Sequence, residues 1–301
     1  MILRMDRLPI ELPTPSNPSP NDAAAIQELL GGKFGEMSTL MNYTYQSFNF
    51  RGRNKLRPFY DLTASIAGEE YGHIEVVSYA INLLLTGVTK RGHNPAEAPL
   101  KAAADLRNTH HYIASGQAAL PMDSMGHFWN GQNVFSSGNL RLDLLHNFFL
   151  ECGARANKMR VYEMVTDPTA RKMVGYLLVR GGVHVVAYAR ALEKLTGVAV
   201  DKLLPIPNLS NDKFPDAKKF MDEKMHLKLY TFSKDDYKQA GMIWEGGFHP
   251  EDGQPLEFIQ GSMEGFPAPD LEEEPQLNSP GEDEYDPQMF MDMAKKMGIK
   301  L

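Results

Sequence analysis

The sequence predicts an all-α protein: a four-helix bundle with one long crossover, preceded by an extended N-terminal arm and followed by an irregular C-terminal tail. Three observations predict it. Four separated segments, each of roughly 25 residues, carry apolar side chains at three- and four-residue spacing, the period of a helix with one buried face. No segment shows the strict apolar–polar alternation of a half-buried strand. A stretch rich in Gly, Pro, Asn and His, residues 88–138, separates the second segment from the third. At about 50 residues it has the length of a crossover rather than of a turn between antiparallel neighbours.

Residues 1–20 read as the arm, because Pro9, Pro13, Pro15, Pro18 and Pro20 deny it a helix. Residues 21–200 read as the bundle. Asn21-Asp22 is placed to cap a first helix running from Ala23 to about Phe50. The second runs from Arg57 to Leu85 and stops at Gly87. Within the crossover a shorter helix is expected over Leu100–Gly116. The third long helix follows Gly138-Asn139 and continues to about Val165, with an apolar stripe that includes Leu142, Leu145, Phe149 and Cys152. Asp167-Pro168 is an N-cap followed by a proline at the first helical position, and the fourth helix runs from there to Leu195, before Gly197. Residues 201–301 form the C-terminal extension. Pro205, Pro207 and Pro215 interrupt it, and residues 270–287 are acidic and proline-rich, a composition that cannot build its own core and suits contact with a neighbouring subunit. Four helices with a single long crossover is the ferritin-like arrangement.

Composition narrows the function. The chain has 301 residues, 43% hydrophobic and 23% charged, an ordinary globular balance with enough apolar side chains for a substantial core. A net charge of −7 argues against nucleic acid or an anionic membrane as partner. The lone Cys152 excludes an intrachain disulfide, a Cys-x-x-Cys metal site and a dithiol redox cycle. The first residues are too polar for a signal peptide, and no apolar run approaches the ~18 residues that span a bilayer, so a cytoplasmic protein is expected.

The chemistry is carried by Glu70-Tyr71-Gly72-His73. Three residues along a helix is 300°, so Glu70 and His73 share a face and can present a carboxylate oxygen and an imidazole nitrogen to one metal ion. A Glu-x-x-His step on a bundle helix is the signature of dinuclear carboxylate centres. The other helices supply what such a centre needs. Glu36 lies among Leu29, Leu30, Phe34 and Leu40; Glu151 lies in Phe148-Phe149-Leu150-Glu151-Cys152; His184 lies in the apolar run from Leu177 to Val186. An ionised group in such surroundings is costly unless it has a partner. Glu36, Glu70, His73, Glu151 and His184 therefore form one candidate metal-ligand set. Glycines flank its members (Gly35, Gly72, Gly153, Gly181-Gly182) and imply close helix approach or space for a small molecule. Three carboxylates facing two divalent ions leave about one net positive charge, which invites a small anionic or bridging ligand. Tyr43 lies seven residues after Glu36 and Lys158 seven after Glu151, nearly two turns on, so each falls on its ligand's face. Tyr43 can donate to a ligating carboxylate, and Lys158 can bring a positive charge to the open side of the centre.

With these residues in place the chain resembles the manganese catalases of the ferritin-like superfamily. Four segments carry the resemblance in order: Leu29 to Tyr43, Gly68 to Glu75, Leu144 to Glu151 and Gly175 to His184. The resemblance implies two manganese ions, with Glu36 and His73 on one, Glu151 and His184 on the other, and Glu70 bridging. It implies hydrogen peroxide as substrate, disproportionated to water and dioxygen, and a homohexamer whose tails embrace neighbours. Some members carry an Arg before the third-helix Glu and a Glu three residues before the fourth-helix His. Leu150 and Gly181 stand there in this chain, which is similar instead to the branch with a lysine at the Lys158 position. Of the calcium site that some members have, only Asp61 is matched, with Ser65 in place of a second acid. A di-iron oxidase or peroxidase on the same bundle, and a non-catalytic metal-binding structural protein, remain as alternatives at this point, since nitrogen and oxygen ligands accept iron as readily as manganese.

Overall fold

The computed structural model describes residues 5–88, 106–203, 210–271 and 287–300. Its frame is helical. The long elements are α1 (Pro20–Gly31), α2 (Glu36–Phe48), α3 (Arg57–Leu85), α5 (Leu140–Met164) and α6 (Pro168–Thr196), with a single turn, α4 (His110–Ile113), in the crossover. Short helices α7 (Val200–Leu203), α8 (Lys218–Asp222) and α9 (Gly241–Trp244) follow, and α10 (Pro287–Lys296) lies near the end. Two small sheets complete the fold. Strand β1 (Arg7–Leu8) pairs antiparallel with β4 (Phe266–Pro267), and β2 (Lys228–Tyr230) pairs parallel with β3 (Glu257–Ile259).

The first predicted helix is two helices. Gly31 is the last residue of α1, and only glycine fits there: the backbone of Met122 in the crossover comes so close that a Cβ would stand 2.3 Å from the Met122 carbonyl oxygen. Gly32 and Gly35 are extended, and Gly35 becomes the N-cap of α2. The break makes Glu36 the first residue of a helix, where free N–H groups and the helix dipole favour an anion. At the other end, α1 starts at Pro20 rather than Ala23, and Asp22 does not cap it. Its Oδ2 accepts instead from the backbone N–H groups of Thr166 (3.0 Å) and Asp167 (2.7 Å), which ties α1 to the α5–α6 turn.

The remaining long helices follow their sequence signals. The Asn139 side chain caps α5 by accepting from Arg141 and Leu142, the Asp167 side chain caps α6 by accepting from Thr169, and Gly197 ends α6 in the left-handed region (φ 75°). The orientation of α5 differs from expectation. The stripe Leu142, Leu145 and Phe149 faces outward, with Phe149 65% exposed, while the buried face carries Leu144, Phe148, Glu151, Arg155 and Lys158. Polar groups on that face find partners inside, so the more polar stripe is the inner one.

The crossover helix expected over Leu100–Gly116 falls partly outside the described residues; within them only α4 is helical. Side chains of α1 and α2 hold the crossover. Gln27 donates to the carbonyls of Leu120 and Met122, Asn42 donates to the Asn133 carbonyl and accepts from the Phe135 N–H, and Trp129 donates to Ser38. The acidic stretch at residues 272–286 lies outside the described residues. The preceding part of the extension packs onto α6. Leu227, Leu229, Ile243, Trp244 and Leu256 share one buried cluster with Val183, Val185 and Tyr188. Buried Trp244 fixes the β2–β3 pair by donating to the carbonyls of Leu227 and Glu257. These strands are only two or three residues long, too short for an alternation to register in the sequence.

Candidate metal centre

Helix α2 delivers Glu36 from its first residue, α3 delivers Glu70 and His73 from its middle, and α5 and α6 deliver Glu151 and His184. All five are buried, none more than 1% exposed. They form two clusters, Glu36–Glu70–His73 and Glu70–Glu151–His184, each with ligand atoms within 4.8 Å of one another. Glu70 belongs to both. Its Oε2 lies 3.0 Å from His73 Nδ1 and its Oε1 lies 2.8 Å from His184 Nδ1. The imidazole rings stack at 5.6 Å between centroids and 27° between planes.

The donors suit metal ions. Glu36 Oε2, Glu70 Oε1, Glu151 Oε2 and His184 Nδ1 are buried without a hydrogen-bond partner, although Glu70 Oε1 and His184 Nδ1 are near neighbours. Converging lone pairs of this kind are what a cation between them satisfies, and carboxylate with imidazole is a fitting donor set for a borderline divalent ion such as manganese.

Tyr43 and Lys158 both fall at the centre. The Tyr43 hydroxyl donates to Glu151 Oε1 at 2.5 Å, and Lys158 Nζ lies 2.9 Å from Glu36 Oε1, with Lys158 itself 1% exposed. Gly181 lies beside that ammonium: a Cβ there would stand 3.4 Å from Lys158 Nζ, in ordinary contact, and a longer side chain would compete with it for the space. Gly153 receives the Phe34 ring, whereas Gly72 has nothing within 4 Å of the position its Cβ would take, so close packing explains only part of the glycine pattern.

Electrostatics follows from the packing. Burial alone would raise the Glu36 pKa, but the Lys158 ammonium and His73 hold its carboxyl well below the usual range. Burial and the neighbouring Glu36 carboxylate push Glu70 up. Burial would lower the His73 pKa, and Glu70, Glu36 and Glu69 together outweigh it and lift it to about 10. His184 is lifted well above its ordinary value by Glu69, Glu70 and Glu151, against burial. For Lys158, burial lowers the pKa, and Glu36, Glu151 and Glu70 outweigh it, so the ammonium is kept charged.

Sequence reasoning missed Glu69, Arg180 and Tyr188. Glu69 faces His184 Nε2 at 3.0 Å and His73 Nε2 at 3.6 Å, and Arg180 grips both of its oxygens. Tyr188 is fully buried beside Tyr43, with ring centroids 5.2 Å apart. A signal for the first two was present. Glu69 is four residues before His73 and Arg180 four before His184, each on its histidine's face in a largely apolar run.

Asp61 and Ser65, the positions matched to the calcium site of some family members, both have protein partners. Asp61 Oδ1 is 2.6 Å from Arg57 Nε, its Oδ2 accepts from the Gln239 N–H, and Ser65 Oγ donates to the Leu62 carbonyl. A guanidinium already provides the positive charge at that carboxylate.

A family model for manganese containing catalase matches residues 1–296. The chain belongs to the manganese catalase family. It is 31% identical over 272 residues to a manganese catalase of Bacillus subtilis, covering 87% of this chain and 91% of that one. It is likewise 31% identical over 264 residues to the uncharacterised protein YjqC of Bacillus subtilis, with the same coverage. The solved structure of KatB, a manganese catalase from Anabaena, matches with a TM-score of 0.57 at 19% identity, over 86% of this chain and 99% of that one. At that identity the likeness establishes the shared ferritin-like fold.

Proposed function

We propose that the protein is a catalase that disproportionates hydrogen peroxide to water and dioxygen at a pair of manganese ions held by Glu36, Glu70, His73, Glu151 and His184. The observation that carries this reading is the pair of buried clusters that share Glu70, in a chain of the manganese catalase family. Glu36 and His73 would hold one ion, Glu151 and His184 the other, and membership of Glu70 in both clusters supports its role as the bridge. When bound, the manganese pair supplies a two-electron store, so that one peroxide is oxidised to dioxygen and another is reduced to two waters, with the two protons released by the first consumed by the second.

The surrounding side chains shape that chemistry. Lys158, on the Glu36 side, adds a fixed positive charge to a centre whose three carboxylates already fall short of two dications. It therefore favours an anionic peroxide over water and offers a hydrogen-bond donor where negative charge develops. Tyr43 spends its proton on Glu151 Oε1 and so fixes which oxygen of that carboxylate is free. Burial of the whole set in the bundle limits access to small molecules and strengthens each electrostatic contact.

The family relationship weighs against a di-iron oxidase or peroxidase. Among the described residues no helix is long and apolar enough to cross a membrane, which fits a cytoplasmic location. The outward stripe Leu142, Leu145 and Phe149, with exposed Tyr45 and Phe48, supports association with other copies in a homohexamer. An oxygen electrode tests the activity. Manganese-loaded protein should release one dioxygen for every two peroxides with no added reductant. Peroxide consumption that requires a reductant and yields no oxygen would assign the site to a peroxidase instead.

A further inference from the structure

We propose that Glu69 is a positioning residue shared by the two halves of the centre, holding both ligand histidines in one orientation and thereby setting the affinity of both metal ions together. The inference rests on the reading of His73 and His184 as ligands through Nδ1.

The geometry comes from two consecutive glutamates. Successive residues on a helix point about 100° apart, and Glu69 and Glu70 use that angle to bracket the stacked imidazoles. Glu70 meets the Nδ1 edges, at 3.0 Å for His73 and 2.8 Å for His184. Glu69 meets the Nε2 edges, at 3.6 Å and 3.0 Å, one oxygen toward each ring. Arg180 holds Glu69 with two contacts, Nε to Oε1 at 2.5 Å and Nη2 to Oε2 at 2.9 Å. A guanidinium only donates, so it maintains Glu69 as a pure acceptor. As an acceptor 3.0 Å from His184 Nε2, Glu69 selects the tautomer with hydrogen on Nε2 there and leaves the Nδ1 lone pair facing Glu70 and the metal side; at His73, 3.6 Å is an ion-pair distance and Nε2 makes no hydrogen bond, so Glu69 acts on that ring through its charge.

The support for Glu69 is itself anchored. The remaining arm of Arg180 donates to the carbonyls of Met225 (2.5 Å) and Lys228 (2.8 Å), and its guanidinium lies over the Tyr230 ring at 5.2 Å. The segment that leads into β2 is thus joined through Arg180 and Glu69 to both imidazoles. Glu69, Arg180 and the two histidines are all at most 2% exposed, so no solvent stands in for any of these contacts.

A carboxylate behind one metal-bound histidine is a common device, and its loss typically weakens metal binding by ~10–100-fold. One carboxylate behind two histidines predicts that a single substitution weakens both ions. The experiment is a manganese titration of chelator-stripped protein against a competing chelator, on wild type, Glu69→Gln and Glu69→Asp, with melting curves alongside. Wild type should bind two ions per chain. Glu69→Gln should lose about 10–100-fold at both sites in the folded protein, and Glu69→Asp, which keeps the charge beside Arg180 but withdraws it from the rings, should lose affinity at both to a smaller extent. A role confined to fold stability would lower the melting temperature and leave the affinities of the folded protein unchanged, which would overturn the proposal. Weakening at one site only would overturn the shared role. If Glu69→Gln does not fold, Glu69→Asp decides by the same criterion, since two ions held at wild-type affinity refute the proposal. Failure of wild type to bind two ions would instead refute the ligand assignment of the histidines.

Discussion

Replacing Lys158 with methionine separates two roles that the structure gives one side chain. The substitution keeps the length and apolar stem, and removes the ammonium that lies 2.9 Å from Glu36 Oε1 in a buried site. At an effective dielectric of about 20, two unit charges at that distance attract by roughly 5–6 kcal/mol. Desolvation of the ammonium offsets part of this, and loss of one partner from a buried pair costs ~3–5 kcal/mol in practice. For a chain of 301 residues, with an unfolding entropy near ~2 cal/mol/K per residue, that corresponds to a fall in melting temperature of ~5–8 °C. The fall belongs to chelator-stripped protein. In manganese-loaded protein the metal neutralises Glu36, so the difference between variant and wild type should shrink to a fraction of that value. Differential scanning calorimetry of stripped and loaded samples measures both numbers. Oxygen release from the loaded Lys158→Met protein should be clearly slower at equal manganese content, because the charge that favours an anionic peroxide is gone. A stripped variant that melts within a degree of stripped wild type, together with unchanged turnover, would refute the role assigned to Lys158. Loss of manganese along with activity would show that the lysine builds the site rather than serving the reaction.

Further outcomes follow from the same geometry. His73→Leu and His184→Leu should each lower manganese content and nearly abolish oxygen release, checked by elemental analysis beside the electrode; a variant with full metal and full activity would remove that residue from the ligand set. Tyr43→Phe leaves Glu151 Oε1 without its donor at a buried position, which should cost ~1–3 kcal/mol in the stripped protein by calorimetry, with both ions still bound. In stripped protein the His73 pKa is lifted to about 10 by its carboxylates, against burial. The protonated imidazole therefore stabilises that fold fully below the unfolded value near 6.5 and loses this contribution as pH rises through about 10. Manganese must displace the same proton, so its apparent affinity should rise with pH over that window. A pH-independent affinity would contradict the assignment. Gly153→Leu should destabilise the contact between α5 and the α1–α2 connection, since even a Cβ would stand 2.7 Å from the Phe34 ring; an unchanged melting temperature would show that the ring has room to move.

The features the sequence expressed most clearly are those with a local cause. The caps at Asn139 and Asp167 and the stop at Gly197 are local chemistry, and α5 and α6 begin and end where these signals fall. The five candidate ligands were legible because an ionisable group in the apolar middle of a helix is expensive, and the structure gathers all five. Features with a distant cause were not legible. The requirement for glycine at residue 31, beside the break at residues 32–35, comes from the close approach of Met122, almost a hundred residues away. The inward face of α5 was misjudged because a stripe of Leu142, Leu145 and Phe149 reads as core, while the true core face carries Glu151, Arg155 and Lys158, whose partners lie on other elements. Glu69 was overshadowed by Glu70, its neighbour with the motif spacing, although its own i, i+4 relation to His73 pointed to the same place.

Two clusters that share Glu70 imply that activity needs both ions of the pair. Stepwise return of manganese to stripped protein, with oxygen release and bound metal measured on the same samples, tests it most directly. Little activity is expected while at most one site per chain is filled, then a steep rise as second sites fill, and a plateau at two ions per chain. Activity that grows in proportion from the first equivalent and saturates at one manganese per chain would contradict that expectation.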